Sequence, residues 1–410
     1  MTSFALKPNF INRILTLLVF LFSITTFLPG IFGGSSRIIS AGLLFVFFIV
    51  MLFCYFSESF TQKKLVFWIL IFSLFIIFYK LIGYSTASWG NYYMQISCLM
   101  SIFLIVLMND YCTRKQRLFI LLSSVIFIIY LIYQDIQLGV RVSAIYNQEE
   151  LLHVNAASTV FNSTVLILGS IFLFLCFRQN IKMYKVIYIS LFIFISYYLI
   201  FFGERGSIVL TLFLMLFLFI YISAGRSVLK LILIFFGGIC CFLYLLDSNS
   251  IFSFLLSISP SDRLSDRIID LMQTTEKGLS ENSFSGRFGL YIVSIESFLS
   301  SAKSILIGIG DHRLEGIEGY YRSGIGGHSE IIDSFARYGL VGVIILVLLM
   351  RKYYDYLISL FVDLKDVKII KLLFYIFIFL SLTKTVLYTS VGLVFFLLLP
   401  LSKELLIKKK

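Results

Sequence analysis

Residue types suited to binding anions and moving protons are concentrated in two short stretches of this sequence. The longer one begins at Ser285-Gly286-Arg287, has seven glycines between positions 308 and 327, and ends at His328. The shorter one is Gly203-Glu204-Arg205-Gly206-Ser207. An arginine presents a planar fork of donors that matches a phosphate group, and a histidine exchanges protons near neutral pH. The two stretches therefore predict a site that binds an anion and accepts a proton.

His328 is the histidine best placed to accept a proton. It follows Gly326-Gly327, which leave room for a substrate, and it directly precedes a predicted helix. Ser329 is expected to cap that helix, which places Glu330 and Asp333 in its first turn. These two acids either stabilise the helix through its dipole or contact the substrate.

Two further arginines have structural explanations, and Arg205 has a functional one as well. Arg205 lies between two hydrophobic runs, where it either reaches the headgroups with Glu204 from a tight hairpin or binds a phosphate. Arg337 follows Asp333 by four residues, and side chains at this spacing on a helix are neighbours. We therefore expect Asp333 and Arg337 to pair.

The elements that position these residues are predicted to be membrane helices. Of the 410 residues, 59% are hydrophobic and only 14% are charged, and the mean hydropathy is +0.97. Soluble domains are typically about 45–50% apolar and about 25% charged. The composition excludes a soluble enzyme, a disordered chain and a secreted disulfide-rich domain. It predicts an all-α, polytopic membrane protein.

Twelve apolar runs are long enough to cross a hydrocarbon core of about 30 Å, which takes about 17–25 residues. They are residues 14–32, 38–56, 65–82, 92–108, 118–134, 156–177, 186–202, 207–223, 229–246, 333–350, 369–383 and 385–401. The segments between them alternate in charge, with a net of +15 on one side of the membrane and −3 on the other. The positive-inside rule then puts both termini in the cytoplasm. The overall charge of +12 reflects this topology and gives no reason to expect nucleic acid.

The predicted organisation has three parts. Residues 1–246 hold helices 1–9, residues 247–332 form a large outward loop, and residues 333–410 hold helices 10–12 and a basic cytoplasmic tail. A loop this long is usually functional or disordered, and two amphipathic patterns, after Pro260 and after Gly286, favour short helices at the outer membrane surface. A smaller outward segment, 135–155, carries Arg141.

Ionisable residues are predicted mainly on the outward side of the membrane. All three histidines and 16 of the 22 acidic residues lie in outward segments, whereas Lys80 and Lys384, near helix ends, are expected to reach the membrane surface. Transporters usually need ionisable groups along the path through the bilayer, so this distribution favours activity at the outer surface. The six cysteines lack the spacing of a zinc site, and no Asp-x-Asp pair indicates a metal-bound nucleotide sugar.

Taken in order, these motifs resemble the O-antigen polymerase and ligase superfamily, and in particular its Wzy-type polymerases of O-antigen or capsular polysaccharide. The resemblance rests on Arg205 at the hairpin of helices 7 and 8, on Ser285-Gly286-Arg287 and on Gly308-Ile309-Gly310. It also rests on His328 before a helix that contains Tyr338-Gly339-Leu340-Val341-Gly342. The motifs span roughly 200–345, and the profile of twelve spans matches over the whole chain. Ligases commonly have His-Asn where this chain has His328-Ser329, which favours a polymerase.

The resemblance implies a metal-independent membrane glycosyltransferase of the GT-C class that needs no cofactor. It would act on glycans carried on undecaprenyl diphosphate, at the outer face of the bacterial cytoplasmic (inner) membrane. Arg205 and Arg287 would hold the lipid diphosphate, and His328 would activate the acceptor hydroxyl. The remaining candidate substrate contacts are Glu204, Arg141, Arg322, Tyr321, His312, Glu330 and Asp333. Implied partners are the lipid bilayer, the lipid-linked glycan, and a chain-length regulator and a flippase of the same pathway.

Two alternatives stay open at this point. A ligase would use the same chemistry to move finished polymer onto lipid A core, and its loss would leave polymer on the lipid carrier. Loss of a polymerase would instead leave single repeat units on the acceptor. A flippase or transporter would bind lipid-linked oligosaccharide without releasing undecaprenyl diphosphate.

Overall fold

The computed structural model describes most of the predicted membrane helices. The described residues are 8–28, 31, 35–57, 60, 62–81, 89–138, 154–201, 283–310 and 329–406. Almost all of them are helical, and none of them is in a β-strand. The all-α prediction is thereby confirmed for this part of the chain. The predicted spans 207–223 and 229–246, and the amphipathic pattern after Pro260, lie outside the described residues.

Eleven helices precede a C-terminal helical rod in the described part of the chain. They are α1 (Pro8–Phe27), α2 (Ser36–Phe56), α3 (Lys63–Leu81), α4 (Trp89–Tyr111), α5 (Arg114–Leu138), α6 (Val154–Arg178), α7 (Lys182–Phe201), α8 (Ser283–Leu299), α9 (Ala302–Ile307), α10 (Glu330–Ser359) and α11 (Leu364–Thr383). The rod, residues 389–401, consists of α12 (Thr389–Gly392), a π-helical segment (Leu393–Leu398) and α13 (Leu399–Leu401).

Seven of the described helices, α2 to α7 and α10, are long and apolar enough to cross a membrane. This agrees with the prediction of a polytopic membrane protein. The rod and α11 are not among these seven helices. The rod is interrupted by π-helical geometry, and the first turns of α11 carry four charged residues, Lys365, Asp366, Lys368 and Lys371. The apolar part of α1 is shorter, at residues Asn12–Phe27.

The core of the bundle lies around α4, α6 and the rod. In the apolar windows of these helices, 83% of the α4 residues and 89% of the α6 residues are buried, against 22% for α2. The rod packs directly on α4, because a Cβ at Gly392 would lie 2.7 Å from the Cα of Cys98. By contrast, α2 exposes Phe45, Phe53 and Phe56, as expected of a helix that faces lipid.

Two charged residues are more deeply buried than the sequence indicated. Asp135, expected in an outward segment, lies inside α5 and is buried, where it accepts a hydrogen bond from Tyr198 Oη at 2.7 Å. Lys384, expected to reach the membrane surface, is only 2% exposed at the end of α11. The prediction for Lys384 was wrong, and the burial of Asp135 was not foreseen, because position near a helix end does not reveal whether a side chain faces lipid or the bundle.

The end of the bundle predicted to face the cytoplasm is closed by ion pairs. Arg117 Nε lies 2.8 Å from Glu404 Oε1, and Arg178 Nη2 lies 2.6 Å from Asp363 Oδ2. Arg178 also pairs with Asp366. These contacts tie the start of α5 to the 3-10 turn after the rod (Ser402–Leu405), and the end of α6 to the start of α11.

Candidate functional site

A sharp kink in α10 brings two of the glycine motifs into contact. Gly339 interrupts the helix with a φ of +61°, and Gly308 has a φ of +74°. A Cβ on Gly308 would overlap the carbonyl of Arg337, and a Cβ on Gly339 would overlap the backbone nitrogen of Gly308. Both positions therefore require glycine, because a side chain would be strained and would also collide with backbone.

Backbone hydrogen bonds complete this contact. The N–H of Ile309 donates to the carbonyl of Ala336 at 2.8 Å, and the N–H of Gly310 donates to that of Arg337 at 3.0 Å. The kink exposes these carbonyls, which an uninterrupted helix would have used for its own hydrogen bonds. The motif Gly308-Ile309-Gly310 thus has a defined structural role: it satisfies the carbonyls at the end of the first segment of α10.

The start of α10 is capped as the sequence predicted. Ser329 Oγ accepts a hydrogen bond from the N–H of Ile332 at 3.1 Å, which identifies Ser329 as the N-cap. Glu330 and Asp333 lie in the first turn, where negative charge is stabilised by the helix dipole. This prediction is confirmed.

Glu330 forms a buried clasp between the start of α10 and the segment that follows α11. One carboxylate oxygen, Oε1, accepts from Arg337 Nη2 at 2.8 Å. The other, Oε2, accepts from the backbone N–H groups of Val386 at 3.2 Å and Leu387 at 3.1 Å. The side chains of Glu330 and Arg337 are 4% and 5% exposed. With both oxygens engaged, this carboxylate is poorly placed to contact substrate or to accept its proton.

The expected pairing of Asp333 with Arg337 was wrong. Arg337 pairs with Glu330, seven residues earlier, and its Nε donates to the backbone carbonyl of Asp333 at 3.3 Å. Residues 330 and 337 lie on the same face two turns apart, so the helix geometry permits this pair. The two backbone donors from Val386 and Leu387 hold Glu330 in position for it.

The carboxylate of Asp333 faces α8 and the start of its own helix. Its Oδ1 accepts from Ser294 Oγ at 2.6 Å, and its Oδ2 is 3.4 Å from the backbone nitrogen of Ser329. Asp333 and Ser294 are both buried. One carboxylate therefore joins two segments that are about 40 residues apart in the sequence.

Helix α8 packs against the first turns of α10. Ser294 meets Asp333, and the ring of Phe298, one turn further along α8, is 5.5 Å from the ring of Phe335, two residues further along α10, in an edge-on arrangement. Since both pairs advance together, the two helices run in the same direction through this contact. Arg287 lies within α8, seven residues before Ser294, which is about 10 Å along the helix toward its N-terminus.

Other buried polar groups lie near the same end of the bundle. Two of the contacts involve tyrosines: Tyr338 Oη donates to Gln95 on α4, and Tyr198 Oη donates to Asp135 on α5. The other two join hydroxyl groups on the rod to neighbouring helices. Thr389 bonds to Ser97 on α4, and Ser390 Oγ accepts from Thr164 Oγ1 on α6 at 3.1 Å. Sequence reasoning noted Tyr338 and Asp135 but missed their partners and the two hydroxyl pairs. The available signal was a polar side chain within an apolar helix, as at Gln95, because such groups are costly unless they are paired.

The structure brings together only part of the predicted site. Glu330 and Asp333 lie one turn apart on α10, and Arg287 lies in α8. The other predicted site residues lie outside the described residues: Arg205, His328, Glu204, Arg141, Arg322, Tyr321 and His312. In the part of the chain that the structure describes, no cluster of three or more histidine, cysteine or acidic side chains could hold a metal ion.

Comparison of the chain with protein families and with curated proteins gives no match.

Proposed function

We propose that this protein is a membrane glycosyltransferase that polymerises undecaprenyl-diphosphate-linked repeat units into O-antigen or capsular polysaccharide at the outer face of the bacterial cytoplasmic membrane. The observation that carries the proposal is the order of its motifs, from Arg205 through Arg287 and Gly308-Ile309-Gly310 to His328 and Gly339. The contact between Gly308 and Gly339 supports it, because two of these motifs pack together. They also lie at the end of the bundle predicted to face outward.

The chemistry requires a proton acceptor and a stabiliser for the leaving group. The acceptor hydroxyl attacks the anomeric carbon of the donor sugar while the bond from that carbon to the lipid diphosphate breaks. His328 takes the hydroxyl proton, and general-base catalysis of this kind is worth about 10²–10⁴-fold. Arg205 and Arg287 stabilise the charge that develops on the departing undecaprenyl diphosphate.

The structure changes the roles proposed for the two acids of α10. Both oxygens of Glu330 are engaged in a buried ion pair and two backbone hydrogen bonds, so we assign it to the scaffold. Asp333 is likewise buried against Ser294 and Ser329. Glycan contacts are then left to residues of the outward segments, namely Arg141, Glu204, His312, Tyr321 and Arg322.

The decisive experiment is incubation of the purified full-length protein, in lipid vesicles, with lipid-linked repeat units. We expect a ladder of products that differ by one repeat unit and stoichiometric release of undecaprenyl diphosphate. A His328→Ala protein of equal abundance should give neither product. A ladder of normal length from that variant would remove the proposed base, and no ladder from the wild type would remove the proposed function.

A transporter remains the second candidate because the bundle does contain buried ionisable groups. Asp135, Glu330, Arg337 and Lys384 are all buried near one end of it. Groups along a transport path are expected through the depth of the membrane, whereas these lie within two turns of helix ends. Transfer of fluorescent lipid-linked oligosaccharide across the vesicle membrane, without release of undecaprenyl diphosphate, would favour this candidate.

Deletion of the gene distinguishes a polymerase from a ligase. Loss of a ligase would leave polymer on its lipid carrier, whereas loss of a polymerase would leave single repeat units on the acceptor.

A further inference from the structure

The hydrogen bonds of Asp333 lie between the two chain segments that carry proposed catalytic groups. Its Oδ1 accepts from Ser294 on α8, the helix that contains Arg287. Its Oδ2 faces the backbone N–H of Ser329, and that N–H belongs to the peptide group that links residue 329 to residue 328. The same carboxylate therefore bonds to the helix of the arginine and to the peptide next to the histidine.

We propose that Asp333 is a positioning residue that sets the separation between α8 and the start of α10, and hence between the groups that bind the diphosphate and accept the proton. This inference rests on the proposed function. It assigns no bond-making step to Asp333, which is buried and acts through Ser294 and Ser329.

Two features of the structure support a positioning role over a role in general stability. The start of α10 is already held to the bundle by Glu330, through Arg337 and two backbone N–H groups. Asp333 contributes to neither of those contacts through its carboxylate; it is directed to α8 instead. The rings of Phe298 and Phe335 also meet between these two helices, and ring packing fixes distance less sharply than a short hydrogen bond.

Kinetics of chain extension test the two bonds separately. Asp333→Asn keeps the size of the side chain but replaces the carboxylate with a neutral amide, which can accept from Ser329 and only donate to Ser294. Because the bonds to a charged acceptor are replaced by weaker neutral ones, we expect kcat to fall about 10- to 100-fold. Ser294→Ala breaks only the link to α8, and we expect KM for the lipid-linked repeat unit to rise about 3- to 10-fold with a smaller change in kcat. A role in general stability would lower abundance and thermal stability in both variants without this split.

Ser334→Ala is the matched control. Ser334 is adjacent to Asp333, equally buried, and its Oγ has no hydrogen-bond partner among the described residues. We expect wild-type kcat, KM and unfolding temperature from it. Equal kinetic losses in Ser334→Ala and Asp333→Asn would overturn the positioning role.

A cross-linking measurement keeps the inference separate from the proposed function. The substitutions Phe298→Cys and Phe335→Cys replace the two rings that are 5.5 Å apart, and a short membrane-impermeant reagent should cross-link the two thiols. The yield of cross-linked product should fall at least severalfold when Asp333→Asn is added, but not when Ser334→Ala is added. Unchanged linking in the Asp333→Asn protein would overturn the inference even if the wild type is an active polymerase. Absence of activity in the wild type would overturn the proposed function, and the link would still show whether Asp333 joins the helices.

Discussion

At the scale of single residues, the ion pair between Glu330 and Arg337 is the most consequential feature that the structure adds. Removal of one partner of a buried ion pair leaves the other charge uncompensated and typically costs about 3–5 kcal/mol. We therefore expect Glu330→Ala to lower the thermal unfolding temperature and the membrane abundance of the protein severely. The loss of the two backbone hydrogen bonds to Val386 and Leu387 adds to this effect.

The control for this prediction is again Ser334→Ala, because it removes a buried polar atom that has no partner in the described structure. That change should be neutral or slightly stabilising. A Glu330→Ala protein with the unfolding temperature of the wild type would show that the clasp contributes little.

The pH dependence of stability should include a contribution from Asp363, which lies between α10 and α11. The backbone N–H of Lys365 donates to its Oδ1 at 2.7 Å and Arg178 donates to its Oδ2 at 2.6 Å, and these interactions lower the pKa of Asp363. A carboxyl whose pKa is lowered by folding stabilises the folded state above its ordinary pKa of about 3.9. That contribution is lost as the pH falls through the lowered pKa.

We therefore expect the unfolding temperature of the wild type in detergent to fall more steeply below about pH 4 than that of Asp363→Asn. Asp355→Asn is the comparison, since Asp355 is more exposed and has only a loose contact with Lys352 at 3.8 Å. If the unfolding temperatures of the wild type and of Asp363→Asn fell in parallel as the pH is lowered, this contribution would be ruled out.

At the scale of elements, the kink at Gly339 should be intolerant of any side chain. Gly339→Ala places a Cβ against the backbone of Gly308 and forces alanine into a φ of +61°. This backbone conformation, with a ψ of −168°, is essentially restricted to glycine and costs about 1–3 kcal/mol for another residue, and overlap with backbone adds to it. We expect a large loss of thermal stability and of chain extension. Gly42→Ala is the control, because nothing lies within 4 Å of its Cβ position.

The comparison of these two glycine variants also separates packing from helix propensity. Gly42 lies inside α2, where alanine should be neutral or slightly stabilising because it is the better helix former. If Gly339→Ala were as stable and active as Gly42→Ala, the contact between the two glycine motifs would not matter.

The elements themselves were largely predictable from the sequence, whereas their contacts were not. Long apolar runs indicated α2 to α7 and α10, and the pattern of Phe288, Tyr291 and Ile295 indicated α8. The contact of Gly308 with Gly339 joins positions that are about 30 residues apart, and no periodicity in the sequence reports such a contact.

The partner of Arg337 was mispredicted for a similar reason. Local spacing favours Asp333, one turn from Arg337, although Glu330 lies on the same face of α10 two turns away. The choice is made by groups far away in the sequence: Ser294 holds Asp333, and Val386 and Leu387 hold Glu330. Sequence alone therefore identified the polar residues of this helix but not their pairing.

At the scale of the whole molecule, the two ends of the bundle differ in how their charges are used. At the end predicted to be cytoplasmic, arginines pair with acids close to short connections, as Arg117 does with Glu404 and Arg178 does with Asp363. At the opposite end, charged and polar groups lie inside the bundle, and α8 and α9 pack on the start of α10. This asymmetry is what we expect if one end only closes the bundle and the other contains the site.

Cysteine labelling tests this orientation directly. Val362 lies between α10 and α11 and is 96% exposed, and Ser300 lies exposed between α8 and α9. In intact cells or spheroplasts, a membrane-impermeant maleimide should label Ser300→Cys but should label Val362→Cys only after the membrane is permeabilised. The wild-type protein is the background control, because its six cysteines are predicted in spans or on the cytoplasmic side. Labelling of Val362→Cys alone in intact cells would place α8, Asp333 and the glycine contact in the cytoplasm. A transferase that takes its substrate at the outer face of the membrane could not then use them.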